Sequence, residues 1–321
     1  MQIIQYVIGR VLVALATMLG ASIVIFTAVR MVPGGFEQVV LGPLATPESR
    51  AVVIAKFALD RSIIEQYGHW LTAATHGDFG ISMVTQTSVT QELIRRAPAT
   101  IQLALMSLLM ALSIGLPLGV ISGLTNGRPW QRSLGRFLGA LGASIPDFVL
   151  GSLFLFVFTV WSLGLTIGGF VPFFEDPWTN LRAMVLPAIT LAVFGIALIL
   201  RTARDAVKTV MTEGYIAFAV ACGEPPSRIV RHHVLRNAAV PIITVTATYL
   251  GYLLGGAIVV EVLFSIPGVG LYTYNGLMNR DYAIVQAGVL VAAAVFIAIN
   301  MIADTIYSLL DPRISAQKRE I

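Results

Sequence analysis

The chain has 321 residues, 56% hydrophobic and only 12% charged, with a mean hydropathy of +0.82. A soluble domain carries about 25% charged residues, so this composition excludes an ordinary soluble globule and points to lipid. The net charge of +4 gathers in particular loops, which makes it a topology signal rather than a nucleic-acid surface, and the single cysteine, Cys222, excludes an internal disulfide or a cysteine metal cluster.

Crossing the hydrocarbon core takes about 20 apolar residues, and six segments qualify. The first runs from Val11 to Val29. It is longer than a signal-peptide core, and Arg30-Met31-Val32-Pro33 is a poor cleavage site, so it reads as a retained span. Residues 31–96 then form an extracytoplasmic segment. Its aromatic anchors Tyr67, Trp70 and Phe79 lie among turn residues such as Gly77-Asp78-Phe79-Gly80, which predicts a compact cap. The charged residues Glu48, Arg50, Asp60 and Glu65 are its candidate contacts for a delivering protein.

The core, 97–321, holds five further spans: Ile101–Leu124, roughly Phe137–Leu163, Ala183–Leu200, Ala238–Phe264 and Tyr282–Leu309. Backbone groups find no water in lipid, and the runs are too long for barrel strands, so an all-α integral membrane protein of six transmembrane helices is predicted. Arg128, Arg132 and Arg136 sit in one loop, and Arg201, Arg204, Lys208, Arg228, Arg231 and Arg236 in another. These loops should face the cytoplasm, and with them both termini. Gly115, Gly119 and Gly123, then Gly251 and Gly255, recur at four-residue spacing and read as close helix packing within one subunit.

Three acids lie in or near spans. Asp147 is 11 residues past Arg136, or roughly 16 Å along a helix, near mid-membrane. It follows Pro146, where a helix N-terminus would favour negative charge. Two readings stand side by side: a pathway-lining acid for a cationic substrate group, or a capping and packing role. Glu261 and Asp304 read as anchors near the membrane faces. There is no GxxxxGK[ST] loop, no HExxH and no GxSxG, and His232-His233 diverge on a helix, reading as two solvated residues. No catalytic or metal site is expected.

The loop 201–237 carries the remaining signal. It reads Glu213-Gly214-Tyr215-Ile216-Ala217-Phe218-Ala219-Val220-Ala221-Cys222-Gly223, then Arg228, Arg231-His232-His233 and Leu235-Arg236-Asn237-Ala238. A helix from Tyr215 to Cys222, stopped by Gly223, would place Tyr215, Phe218 and Cys222 on one apolar face. This loop resembles the coupling loop of type I ABC importer permeases. Further matches in chain order are Ala97-Pro98-Ala99-Thr100, Gly115-Leu116-Pro117-Leu118-Gly119-Val120, Gly255-Gly256-Ala257-Ile258-Val259-Val260-Glu261, Pro267-Gly268-Val269-Gly270, Arg280-Asp281-Tyr282 and Asp311-Pro312-Arg313. Together they resemble the dipeptide/oligopeptide/nickel permeases, B-type, over nearly the whole chain.

The resemblance implies a type I importer fold in a bacterial inner membrane. It implies a second homologous permease, two ATPase subunits carrying ATP and Mg, and an extracytoplasmic substrate-binding protein. It also implies ATPase coupling through Tyr215, Phe218, Ala219, Cys222, Gly223, Arg228 and Arg231. Where relatives carry basic residues this chain has Val220 and Cys222, so contact would rest on shape and apolar burial. A secondary transporter would more often show repeats at the midplane, and an intramembrane enzyme would need a paired nucleophile and base; neither pattern is found.

Overall fold

A computed structural model describes residues 2–31, 46, 60–124, 142, 144–161 and 168–310. Among the described residues the chain is helical except for loops and one isolated antiparallel bridge, Ile81 to Ser88. The helices are α1 Gln2–Arg30, α2 Ile63–Thr75, α3 Val89–Leu124, α4 Asp147–Trp161, α5 Pro177–Met211 and α6 Gly214–Ala221. A turn at Pro226–Arg228 passes through the π-helical stretch Ile229–Val234 into α7 Leu235–Gly256. Then come α8 Ile258–Leu263, α9 Val269–Met278 and α10 Tyr282–Leu310. Two compact units divide the chain: Met1–Thr100 with Pro267–Ile297, and Ile101–Ile266 with Ala298–Ile321.

Among the described residues five helices are long and apolar enough to cross a membrane, and the 15-residue α4 is a shorter apolar helix in the stretch predicted as the third span. Several predicted boundaries shift. The second span's helix begins at Val89, so residues 89–96 belong to it and not to a separate cap. Glu92 there pairs with Arg95 and Arg96 one turn on, at 2.7 and 3.0 Å. The fourth span's helix runs past Leu200 to Met211. Its start is set by Asp176, whose carboxylate accepts from the Trp178 and Thr179 amides at 3.0 and 3.1 Å, with Pro177 opening the first turn. The Thr179 hydroxyl and amide hold the Asp176 carboxyl below the usual carboxylate range. The fifth span is not one helix: it breaks at Ala257, between α7 and α8.

In the first unit, α2 packs on α1. Phe26 meets the rings of Tyr67 and Trp70 at 5.2 and 5.5 Å, and Arg30 donates to Gln66 Oε1 at 2.9 and 3.1 Å. The anchors Tyr67 and Trp70 thus pack on the first span. A second apolar cluster joins Val89 and Leu93 to Tyr272, Ile284 and Ala287, with Phe79 against it. Burial, with Asp281 and Glu92 nearby, pushes the Tyr272 hydroxyl up to about 12.

In the second unit α5 is the central helix. Cβ atoms added at Gly115, Gly119 and Gly123 would stand 2.8, 2.7 and 2.9 Å from the carbonyl oxygens of Ile196, Leu200 and Arg204. Real Cβ atoms do not approach so closely, so only glycine lets α3 lie backbone-to-backbone on α5. The four-residue spacing is packing within the subunit, as expected. Gly255, by contrast, has open space where its Cβ would be.

Glu261 is completely buried and lies in α8 just beyond the break.

Candidate functional site

The helix predicted from Tyr215 to Cys222 is α6, Gly214–Ala221, with Cys222 as its C-cap. Gly223 follows at φ +76, the left-handed conformation that costs glycine little. The Glu224 amide donates to Ala219 O at 3.1 Å and the Gly223 amide to Val220 O at 3.0 Å, the paired bonds of a Schellman stop.

All eight residues of α6 are small or apolar, so its sequence does not say which side faces inward. The structure does. Ile216 and Ala219 are 2% and 6% exposed and join a core with Val207 and Val210 of α5, Ile229, Val234 and Ala238. Burying Ile216 contributes about 1.5–3 kcal/mol to holding the helix there. Tyr215, Phe218 and Val220 face out at 43%, 71% and 60%, and Cys222 is exposed beside them. Ala219 is thus corrected: it is a buried support, not part of the outward face. Arg228 and Arg231 are exposed on the stretch that follows.

His233 is also corrected. It is half-buried and its Nε2 donates to the Glu224 carboxylate at 3.1 Å, while its ring lies 6.4 Å from that of Tyr215. A carboxylate can only accept, so the proton sits on Nε2. This bond ties the segment after the Schellman stop to the π-helical stretch. Partial burial, with Glu213 nearby, raises the Tyr215 hydroxyl above its ordinary range, so it stays a neutral donor at pH 7.

Asp147 opens α4 directly after Pro146, as expected, and its carboxylate accepts from the Tyr252 hydroxyl at 2.5 Å. Both line a cavity of about 360 Å³ with Phe148, Phe194 and Val259. The Phe194 and Tyr252 rings are 5.7 Å apart, and Tyr249 stacks on Tyr252 at 6.5 Å. A carboxylate between aromatic faces is suited to an ammonium or guanidinium group. Tyr249 and Tyr252 stand at i and i+3, a spacing visible in the sequence, but nothing there tied them to an acid 105 residues away.

Of the candidate contacts for a delivering protein, Asp60 and Glu65 are exposed, and Glu48 and Arg50 lie outside the described residues. Among the described residues no cluster of three or more His, Cys, Asp or Glu could hold a metal ion.

Residues 115–316 match the family model described as binding-protein-dependent transport system inner membrane component, and residues 3–104 match its N-terminal counterpart. The chain is 32% identical to the probable peptide ABC transporter permease protein y4tP of Sinorhizobium fredii, covering 96% of this chain and 98% of that one. It is 33% identical to the glutathione transport system permease protein GsiC of Escherichia coli K12, over 97% and 99% of the two chains. Against the dipeptide transport system permease protein DppB of Alkalihalophilus pseudofirmus the identity is 30%, over 97% and 99%. Among solved structures, an inward-facing MetNI methionine ABC transporter chain superposes with a TM-score of 0.56 at 21% identity, covering 68% of this chain and 96% of that one, which shows the fold. Two adjoining family models and relatives matched along nearly their full length place this chain among the binding-protein-dependent transport system inner membrane components, as the membrane permease of an ABC importer.

Proposed function

We propose that this permease forms half of a peptide-class import pathway, beside a second homologous permease. Two cytoplasmic ATPases carrying ATP and Mg would drive it, and an extracytoplasmic binding protein would supply it, with both termini of the chain in the cytoplasm. The relatives' peptide, dipeptide and glutathione names support the substrate class. The observation that carries the reading is α6: an apolar face held outward by its own buried opposite side. An exposed apolar helix face on a rigid seat is what a partner groove takes up. Closure of the ATPases would move this helix, and its core contacts would pass the motion to α5 and α7.

Cys222 and Phe218 test this together. In inverted vesicles an impermeant thiol reagent should label Cys222, and added ATPases should slow that labelling. Phe218→Asp should weaken ATPase association by roughly 30-fold, the size of a central contact worth about 2 kcal/mol, and abolish transport with insertion unchanged. Labelling in intact cells would overturn the orientation. Normal association and transport in Phe218→Asp would overturn the docking face.

Asp147 would serve as a waypoint for a cationic substrate group, released as Tyr252 takes its place on the carboxylate. Asp147→Asn should lower uptake of substrates with a free amino group by about tenfold, the loss of one charge-assisted hydrogen bond. Assembly and basal ATP hydrolysis should persist. Unchanged uptake with normal assembly would remove Asp147 from the pathway.

A further inference from the structure

Helix α2 has a two-faced sequence. At 100° per residue, Trp70, Ile63, Ala74, Tyr67, Leu71 and Ile64 fall within an arc of about 120°. Thr72, Glu65 and His69 fall on the opposite side. Only part of the apolar arc is covered. Tyr67 and Trp70 pack on Phe26 of α1, while Ile63 and Ile64 are 63% and 82% exposed. Two adjacent isoleucines left out on an amphipathic helix call for an occupant.

The contacts with α1 indicate which. On α2 they fall within a single turn, Gln66 to Trp70. On α1 they span two turns: Tyr67 hydrogen-bonds Ser22 at 2.8 Å, the rings meet Phe26, and Gln66 meets Arg30. Contact through one turn is the mark of a helix that crosses its neighbour rather than running alongside it. The depth fits too. Phe26 lies four residues before Arg30, about 6 Å along the axis. The guanidinium of Arg30 stands 3.6 Å over the Phe26 ring, where a basic side chain closes a membrane span. An interfacial helix buries its apolar face about 5–10 Å below the headgroup boundary, with Trp and Tyr at the boundary itself. Ile23, next to the crossing residues on α1, is apolar and 46% exposed.

We propose that α2 lies in the plane of the bilayer as an interfacial helix, with Ile63 and Ile64 among the acyl chains of the leaflet at the Arg30 end of α1. Glu65, His69 and Thr72 then face water. The partner is the lipid surface, and the proposal does not depend on which side of the membrane this leaflet faces.

Nitroxide labels at Ile64→Cys and Glu65→Cys, in a Cys222→Ser background of the full complex in nanodiscs, test it. The ratio of oxygen to nickel-chelate accessibility should be severalfold higher at position 64 than at 65. Ile63→Cys gives a second lipid-side position if Ile64→Cys does not assemble. Equal ratios at 64 and 65 would make α2 a water-exposed cap and overturn the proposal. Shielding of position 64 from both reagents would mean a protein partner, and would overturn it equally.

Discussion

Gly195→Ala is expected to be among the most damaging single-methyl changes in this chain. A Cβ at Gly195 would stand 2.2 Å from Cζ of Tyr249 and 2.5 Å from its hydroxyl oxygen. That ring is 1% exposed and cannot swing aside: Phe194 and Tyr252 flank it at 6.4 and 6.5 Å, and its hydroxyl donates to Leu191 O at 3.0 Å. The methyl group must therefore force α7 away from α5. Overpacking of this kind costs about 1–3 kcal/mol. A further ~1–3 kcal/mol follows if the hydroxyl loses its acceptor while buried. The purified permease should melt several degrees lower, and Tyr252 should lose its seat on Asp147. Gly195→Ala combined with Tyr249→Leu should recover part of the loss, because the ring that the methyl strikes is gone. A wild-type melting temperature for Gly195→Ala would show that the two helices do not pack this closely.

The membrane helices α1, α3, α5 and α10 could be read from apolar runs because lipid leaves the backbone no alternative to a helix. Where those helices continue past lipid, that signal stops. Val89–Arg96 and Arg201–Met211 carry charges and look like loop, yet each simply prolongs its span. The break at Ala257 was visible only as Gly255-Gly256, which serves helix packing equally well. Helix α6 was legible because Gly223 marks its stop, but its inward side was not, since a helix whose one polar group is the Tyr215 hydroxyl has no clearly marked face. The complete burial of Glu261 was not legible for a related reason: burial is a fact of packing that one chain position cannot reveal. The partners of Asp147 and Asp281 lie 105 and about 200 residues away in sequence, beyond any local pattern.

Asp281 is the site of the second large effect. It belongs to the Arg280-Asp281-Tyr282 motif, and its carboxylate is completely buried. One oxygen accepts from the Ser82 hydroxyl at 2.6 Å and from the Met83 and Val84 amides at 2.9 and 3.2 Å. Its backbone also starts α10, accepting from Val285 at 3.1 Å, and its own amide donates to Gly276 O at 2.7 Å. A single side chain thus ties the turn between Ile81 and Ser88 to the start of a membrane helix. Ser82 is itself fully buried, so no water can replace the carboxylate without the turn opening. Asp281→Ala leaves the Met83 and Val84 amides and the Ser82 hydroxyl without their acceptor, and the Ile284 amide loses the other carboxylate oxygen, 3.4 Å away. Each bond to a charged group contributes about 1.5–3 kcal/mol, and the contributions are not additive, so a loss of roughly 3–5 kcal/mol is expected. Asp281→Asn keeps one acceptor oxygen in place and should lose less than the alanine variant. Limited proteolysis reads the effect directly: the turn should resist cleavage in the wild type, open in Asp281→Ala and fall between in Asp281→Asn. Because the damage begins at the turn, cleavage there should appear below the temperature at which the whole permease melts. Equal protease resistance in all three proteins would show that the turn is held by its own hydrogen bonds, Ser82 to Thr87 and Gln86 to Ser82, and not by the buried carboxylate.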